Sequence, residues 1–425
     1  MRIIIWHGYL LGGTGSNVYT RALARSWSNA GHDVVVLCQE PEPDAFDLGG
    51  ARVVRPPLDG PLPVFVLDHY GHASPRLLGD LTPTERQRFV DVNAAAILAE
   101  GASDVLLVNH VLLGAPVGAA VRAASGPPFV VKAHGSELEY AMRGNAELCG
   151  WASASLDTAG AVLAGSEHIV GVLQELVDVD SAKVHVVPPG VDVDALAPQE
   201  RGAALTALVD ECAADPTNAP RGAPGHDERL PDPGNAERLG SFLAGDRPTV
   251  VYVGKLSEEK GVGLLVAAMR GRDARCVIVG FGPARGELED RAGDNVVFAG
   301  PLEHRHLAHL WPLADVSVTP SIFPEAFGMV AAEAASCGSP PLVARHSGLA
   351  EIAAALEAEY PSDLAHLASF SRGDGEQLRS RLDELLALPS DRWRELSQAS
   401  RRAVEAKWSW AKISDRILEV ASLRN

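Results

Sequence analysis

The sequence predicts an α/β protein built from two doubly wound domains with parallel sheets, and three observations predict it. The chain has 425 residues, more than one ordinary core accommodates and suited to two domains of roughly 150–200 residues each. Short apolar runs such as Ile3-Ile4-Ile5-Trp6 and Val250-Val251-Tyr252-Val253 alternate with stretches of helical periodicity, the pattern of a parallel sheet covered on both faces. The alternation stops near Gln199 and restarts near Arg247, across a stretch rich in Pro, Gly, Asp and Asn.

The first unit opens with a buried strand at 3–6, a continuous apolar run bounded by Gly8. Leu11-Gly12-Gly13-Thr14-Gly15 forms the turn, and Ser16 or Asn17 can cap the helix that follows. Tyr19, Ala22, Leu23 and Trp27 share one face of that helix, Gly31 ends it, and 34–37 is the next strand. Further strands are expected near 105–108, 129–132, 161–164 and 184–187. Residues 199–247 read as a linker with a long, exposed Pro/Gly-rich insertion. Strands then return at 250–253, 276–279, 296–298, 316–318 and 342–344. The tail from 391 to 423 reads as helical, with a bend at Trp408-Ser409-Trp410. The expected boundaries are an N-terminal domain over 1–190, onto which the C-terminal helix 408–425 packs back, and a C-terminal domain over 191–407.

Bulk properties exclude several classes. The chain is 46% hydrophobic and 22% charged, and no apolar run reaches the ~18 residues of a membrane span. Its start lacks the long apolar region and cleavage site of a signal peptide. The five cysteines are scattered without metal-ligand spacing, which predicts a cytoplasmic protein. A net charge of −18 argues against nucleic-acid partners and against an anionic membrane surface. Oligomeric state is not legible.

The segment Ser321-Ile322-Phe323-Pro324-Glu325-Ala326-Phe327-Gly328-Met329 carries most of the chemistry. A strand ends at Thr319-Pro320 and a helix begins at Gly328, so unpaired backbone N–H groups and a partial positive charge are available to a diphosphate. Glu325 precedes the helix and Glu333 lies on its second turn, where carboxylates can accept hydrogen bonds from sugar or ribose hydroxyls. Lys255 and Lys260 stand between Gly254 and Gly261 after a strand. In the N-terminal half, Asn109-His110 and Lys132-Ala133-His134 each follow a strand, and Ser166 is either a site residue or a helix cap. Asp192-Val193-Asp194 spells the DxD of metal-dependent sugar transferases, but its place after Pro189-Gly190 favours a structural role. No metal is expected.

Phe323-Pro324-Glu325-Ala326-Phe327-Gly328 followed by Glu333-Ala334-Ala335-Ser336-Cys337-Gly338 resembles the E-x7-E signature of family-4 retaining glycosyltransferases. Gly12-Gly13-Thr14-Gly15, Pro188-Pro189-Gly190-Val191-Asp192, Val253-Gly254-Lys255-Leu256 with Glu259-Lys260-Gly261, and Gly280-Phe281-Gly282-Pro283 resemble further family segments in the same order. The resemblance implies the GT-B fold, two Rossmann-like domains facing a cleft, and a nucleoside-diphosphate sugar as co-substrate with no other cofactor. Lys255 and Lys260 would neutralise the diphosphate, although many family members have Arg at the first position, with its bidentate fork. Glu325 would hold hydroxyls of the donor sugar, and the backbone from Ala326 through Phe327 and Gly328 to Met329 would meet sugar and phosphate. Glu333 would hold the ribose, while Phe298 and its neighbours frame the base, and Gly13 and Gly282 approach the donor. His134 would sit at the reacting sugar, with His110 and Thr14 in the acceptor region.

The expected activity is retaining, metal-independent, front-face transfer to a soluble small-molecule acceptor of bacterial natural-product or thiol metabolism. Two alternatives stay open: a non-hydrolysing nucleotide-sugar epimerase or other GT-B enzyme, and a non-catalytic nucleotide-sugar binding protein.

Overall fold

The computed structural model describes residues 1–13, 15–58, 60–67, 70 and 73–422. The chain divides into two compact units, Met1–Gly190 joined by the C-terminal helix Trp410–Ser422, and Val191–Ser409.

In the first unit the strands are β1 (Arg2–Trp6), β2 (Asp33–Leu37), β3 (Arg52–Val54), a ribbon of β4 (Leu62–Val64) with β5 (Pro75–Leu77), then β6 (Val105–Asn109), β7 (Phe129–Lys132), β8 (Ala161–Ala164) and β9 (Val184–Val186). Among the described residues, seven of them form one sheet in the order β3-β2-β1-β6-β7-β8-β9, with every pair parallel. Helices cover both faces, so Ile3, Ile4, Ile5 and Trp6 are all fully buried. The helix Gly15–Asn29 sends Tyr19, Leu23 and Trp27 into the same apolar cluster as Ile413, Ile417 and Val420 of the terminal helix. The sheet order reverses between β1 and β6. Their register sets Trp6 against Val108, and β6 sets Asn109 against Lys132. The residues after these strand ends, His7, His110 and Ala133-His134, therefore emerge together at a topological switch point, the place where open α/β sheets bind ligands.

The second unit repeats the plan with β10 (Thr249–Val253), β11 (Arg275–Val279), β12 (Val296–Gly300), β13 (Val316–Thr319), β14 (Pro341–Ala344) and β15 (Ser369–Phe370). The order is β12-β11-β10-β13-β14-β15, again all parallel, with the reversal between β10 and β13.

Residues 199–247 are not the exposed insertion the composition suggests. Helices Arg201–Ala213 and Asn235–Phe242 occupy both ends, and only 214–234 carries the Pro- and Gly-rich turns. Ala204, Leu208 and Cys212 recur every four residues and, with Leu239 and Leu243, join the core of the unit; a three-residue apolar stripe inside a polar stretch hides its periodicity. The tail is two helices, Ser390–Lys407 and Trp410–Ser422. Trp408 packs in the second unit, edge-on to Phe327 with ring centroids 5.4 Å apart. Trp410 packs in the first unit, where a side chain at Gly190 would collide with its indole. Among the described residues no helix is long and apolar enough to cross a membrane.

Candidate functional site

In the second unit the loops after β10 and β13 interlock at the switch point. The Glu259 carbonyl accepts the N–H groups of both Ile322 and Phe323 at 2.9 Å. Gly261 has φ +66°, and a Cβ there would lie 2.0 Å from the Pro320 carbonyl oxygen, so only glycine lets the two loops meet. This junction places Lys260 beside Glu325: Lys260 Nζ donates to Glu325 Oε1 at 2.5 Å, with both side chains partly exposed. The Glu325 backbone is fixed in turn, its N–H donating to Ser347 Oγ and its carbonyl accepting from Gly348, each at 2.9 Å. Ser347 itself adopts a left-handed φ of +47°, a conformation non-glycine residues hold only where the surroundings enforce it.

The helix Met329–Ser336 starts from Gly328, whose φ is +111° and where a Cβ would meet Leu349 at 2.6 Å. Its first N–H groups have no intrahelical acceptor and carry the positive end of the helix dipole. Lys255 is exposed on the adjoining loop, and Gly282 is on the next one: Leu256 donates to the Phe281 carbonyl at 2.8 Å and accepts from Ala284 at 3.0 Å. Lys255, Lys260, Gly282, Glu325 and the backbone of 326–329 thus share one end of one sheet. Ala326 and Met329 are half-buried there, while the Phe327 ring belongs to the core, leaving only its backbone available.

Glu333 is buried, and its Oε1 lies 3.2 Å from Nε2 of His304, a residue that sequence reasoning did not single out and that no local motif marks. Phe298 is buried in the edge strand β12, and the neighbouring Ala299 carbonyl already accepts from the Asn235 side chain at 2.7 Å.

In the first unit Gly13 is exposed, with open space around it; Thr14 lies outside the described residues. The β1–β6 switch point gathers three histidines. The His110 ring is 4.7 Å from that of His134 and 6.0 Å from that of His7. Hydrogen bonds assign the protons. Asn109 directs its amide nitrogen to the Trp6 carbonyl and to Thr20, so its Oδ1 accepts from His134 Nε2 at 2.6 Å. His7 Nε2 donates to Asn17 Oδ1 at 2.7 Å, and His110 Nδ1 donates to Glu137 at 3.2 Å. Burial, reinforced by neighbouring His110, holds His7 down at about 3 and His134 well below its ordinary value. Burial alone would raise Glu137, but the hydrogen bonds it accepts from His110 Nδ1–H and from the His134 N–H keep it below the ordinary carboxylate range. His110 has φ +71° in a buried position, a strained conformation of the sort that collects at functional sites. Sequence reasoning placed His110 and His134 but missed His7, Tyr9 and Glu137; the signal for Glu137 was its spacing of three from His134.

Ser166 caps the helix Glu167–Leu176, its Oγ accepting from Ile169 at 3.2 Å. Asp192 caps a turn by accepting from Ala195 at 3.0 Å. Cys212, Asp215 and His306 bring three potential metal ligands, all buried, within 4.8 Å of one another in the second unit. His306 Nδ1 accepts the Glu303 N–H at 3.0 Å, while its Nε2 lies 3.2 Å from Asp215 Oδ2 with both atoms buried and without a hydrogen-bond partner. Arg305 takes the other Asp215 oxygen.

Comparison with known proteins agrees with this layout. The model described as Glycosyltransferase Family 4 matches residues 13–195, and that described as Glycosyl transferases group 1 matches residues 236–402. The chain belongs to glycosyltransferase family 4. Among the relatives of this family-4 chain is a D-inositol 3-phosphate glycosyltransferase of Xylanimonas cellulosilytica, 33% identical over 208 residues, covering 44% of this chain and 43% of that protein. A second is an alpha-maltose-1-phosphate synthase of Mycolicibacterium smegmatis, 26% identical over 69% of this chain and 73% of that one. The chain spans about half the length of the inositol-phosphate relatives it matches, 43% and 52% for two of them. Sucrose-phosphate synthase from Thermosynechococcus elongatus shares the fold with a TM-score of 0.71 at 20% identity, over 100% of this chain and 99% of that one. The Anabaena HepE protein, solved with UDP, does so with a TM-score of 0.70 at 15% identity, over the full length of both. The fold is GT-B.

Proposed function

We propose that the chain transfers a sugar, with retention, from a nucleoside-diphosphate sugar to a small-molecule acceptor. The observation that carries this is the meeting, at one switch point, of Lys255, the Lys260–Glu325 pair and the N-terminus of Met329–Ser336. Two cationic side chains and a ring of backbone donors supply charge for a diphosphate without a metal. Lys260 uses one of its three donors on Glu325, and Glu325 keeps an oxygen for a sugar hydroxyl. Glu333, oriented by His304, takes the ribose hydroxyls, and His134 takes a hydroxyl of the transferred sugar. The solved complexes of the Anabaena relative hold UDP and UDP-glucose, which supports a nucleotide-sugar donor for this chain as well. In the front-face route the bond from the anomeric carbon to phosphate breaks and the acceptor oxygen bonds on the same face. The acceptor proton passes to the departing phosphate oxygen, so no protein nucleophile is needed.

Two variants separate the roles. Glu325→Ala is expected to lower turnover by about 10²-fold with nucleoside-diphosphate affinity little changed, because Glu325 is assigned to the sugar. Glu333→Ala is expected to weaken free nucleoside diphosphate by roughly ten- to a hundredfold, as for a lost hydrogen bond to a charged group. Isothermal titration and steady-state kinetics read both; the reverse pattern would place the sugar and the nucleoside the other way round.

A further inference from the structure

Among the described residues, the ring cluster of the first unit leaves four buried polar atoms without a hydrogen-bond partner, His7 Nδ1, Tyr9 Oη, Tyr19 Oη and His110 Nε2, and two of them belong to rings in edge-to-face contact. His110 commits Nδ1–H to Glu137, so its Nε2 is a lone pair, and that atom is buried without a hydrogen-bond partner. The Tyr9 hydroxyl is likewise buried and unpartnered. The two rings stand edge to face, centroids 5.3 Å apart at 89°. Nearly all buried polar atoms in native proteins are paired, so two orphans side by side need an explanation. Among the described residues packing gives none: Phe65 contacts both rings, at 5.8 and 5.1 Å, and brings no polar atom.

The pair is complementary to a hydroxyl group, whose O–H can donate to His110 Nε2 while its oxygen accepts from Tyr9. A phosphate brings only acceptors and negative charge. It would face a lone pair and, behind the same imidazole, the buried Glu137 carboxylate 3.2 Å from Nδ1. Building on the transfer function proposed above, we propose that His110 and Tyr9 hold an uncharged hydroxyl group of the acceptor. The chain then accepts unphosphorylated sugars or polyols in preference to their phosphorylated counterparts, unlike what the names of its inositol-phosphate relatives suggest for those proteins.

The test uses the whole chain and four acceptor probes: glucose, myo-inositol, glucose 6-phosphate and inositol 1-phosphate. Release of nucleoside diphosphate is followed from the matching donor. The unphosphorylated pair should accelerate release at least tenfold more than the phosphorylated pair. Tyr9→Phe removes a hydroxyl that bonds nothing in the protein, so it should raise acceptor KM roughly tenfold. It should leave nucleotide affinity unchanged and not lower the melting temperature. His110→Asn, which tolerates a positive φ, should raise KM in the same sense. A merely structural Tyr9 would leave KM in place. Faster release with the phosphates, no acceleration by any of the four, or unchanged KM in both variants would overturn the proposal. If nucleoside diphosphate still binds, only the acceptor inference falls; if it does not, the transfer function falls too.

Discussion

On the transfer function proposed above, Lys260→Ala is expected to lower turnover by about 10²–10³-fold, the usual cost of removing one preorganised group that stabilises developing charge. Two effects add. The departing diphosphate loses a cation held at the β10–β13 switch point by the Gly261–Pro320 contact. Glu325 also loses its partner at 2.5 Å and is left as an uncompensated carboxylate beside the phosphates. Lys260→Arg keeps the charge, but its planar fork no longer fits the short contact to Glu325, so it should recover only part of the rate. Lys255→Ala should cost less, because Lys255 is exposed and more strongly screened. Single-turnover kinetics with saturating donor measure the effect on chemistry apart from binding. Equal losses at the two lysines would show that the interlocked loop does not favour one over the other.

The first unit should gain stability as pH rises from 7 to 10, by roughly 3–4 kcal/mol from one side chain. Lys132 is buried, its Nζ donating to the Val187 carbonyl at 2.6 Å and lying 5.4 Å from the Tyr19 ring centre. Burial lowers it from the ordinary 10.5 to about 7, against the pull of Glu137. A base depressed in the folded state binds fewer protons there than in the unfolded chain. Its contribution is therefore complete above 10.5, is lost progressively as pH falls from 10.5 to about 7, and is absent below that. His7, lowered from 6.5 to about 3, extends the same trend into acid, where stability falls by up to about 1.4 kcal/mol per pH unit. Urea unfolding at pH 7 and 10 tests the alkaline limb. The wild type should gain several kcal/mol, and Lys132→Met, which carries no charge to desolvate, should gain little. Parallel curves for the two would show that Lys132 is not the group responsible.

Much of this was legible in the sequence. The strands at 3–6, 105–108, 129–132 and 250–253 announce themselves as apolar runs because both faces of a parallel sheet are buried. The start of the helix after Phe327-Gly328 is readable from the glycine, and the family motifs name Lys260, Glu325 and His134. What could not be read depends on strand order, a tertiary property. Nothing local says that β1 lies next to β6, whose Val108 pairs with Trp6 from 102 positions away (108 − 6), or that β10 lies next to β13. For the same reason the Lys260–Glu325 pair, 65 residues apart, and the Glu333–His304 pair, 29 apart, escaped notice. The helices inside 199–247 were hidden by composition, since Ala204, Leu208 and Cys212 are few among polar neighbours. The short strands β3 and β15, of 3 and 2 residues, are too brief to show any period.

The most direct test of the central claim, that the second unit is a metal-independent nucleoside-diphosphate site, is calorimetric titration of the protein with UDP, GDP and ADP, each with and without EDTA. One of the three should bind clearly, with the same affinity in both conditions. No heat with any of them, or binding that disappears with EDTA, would contradict it.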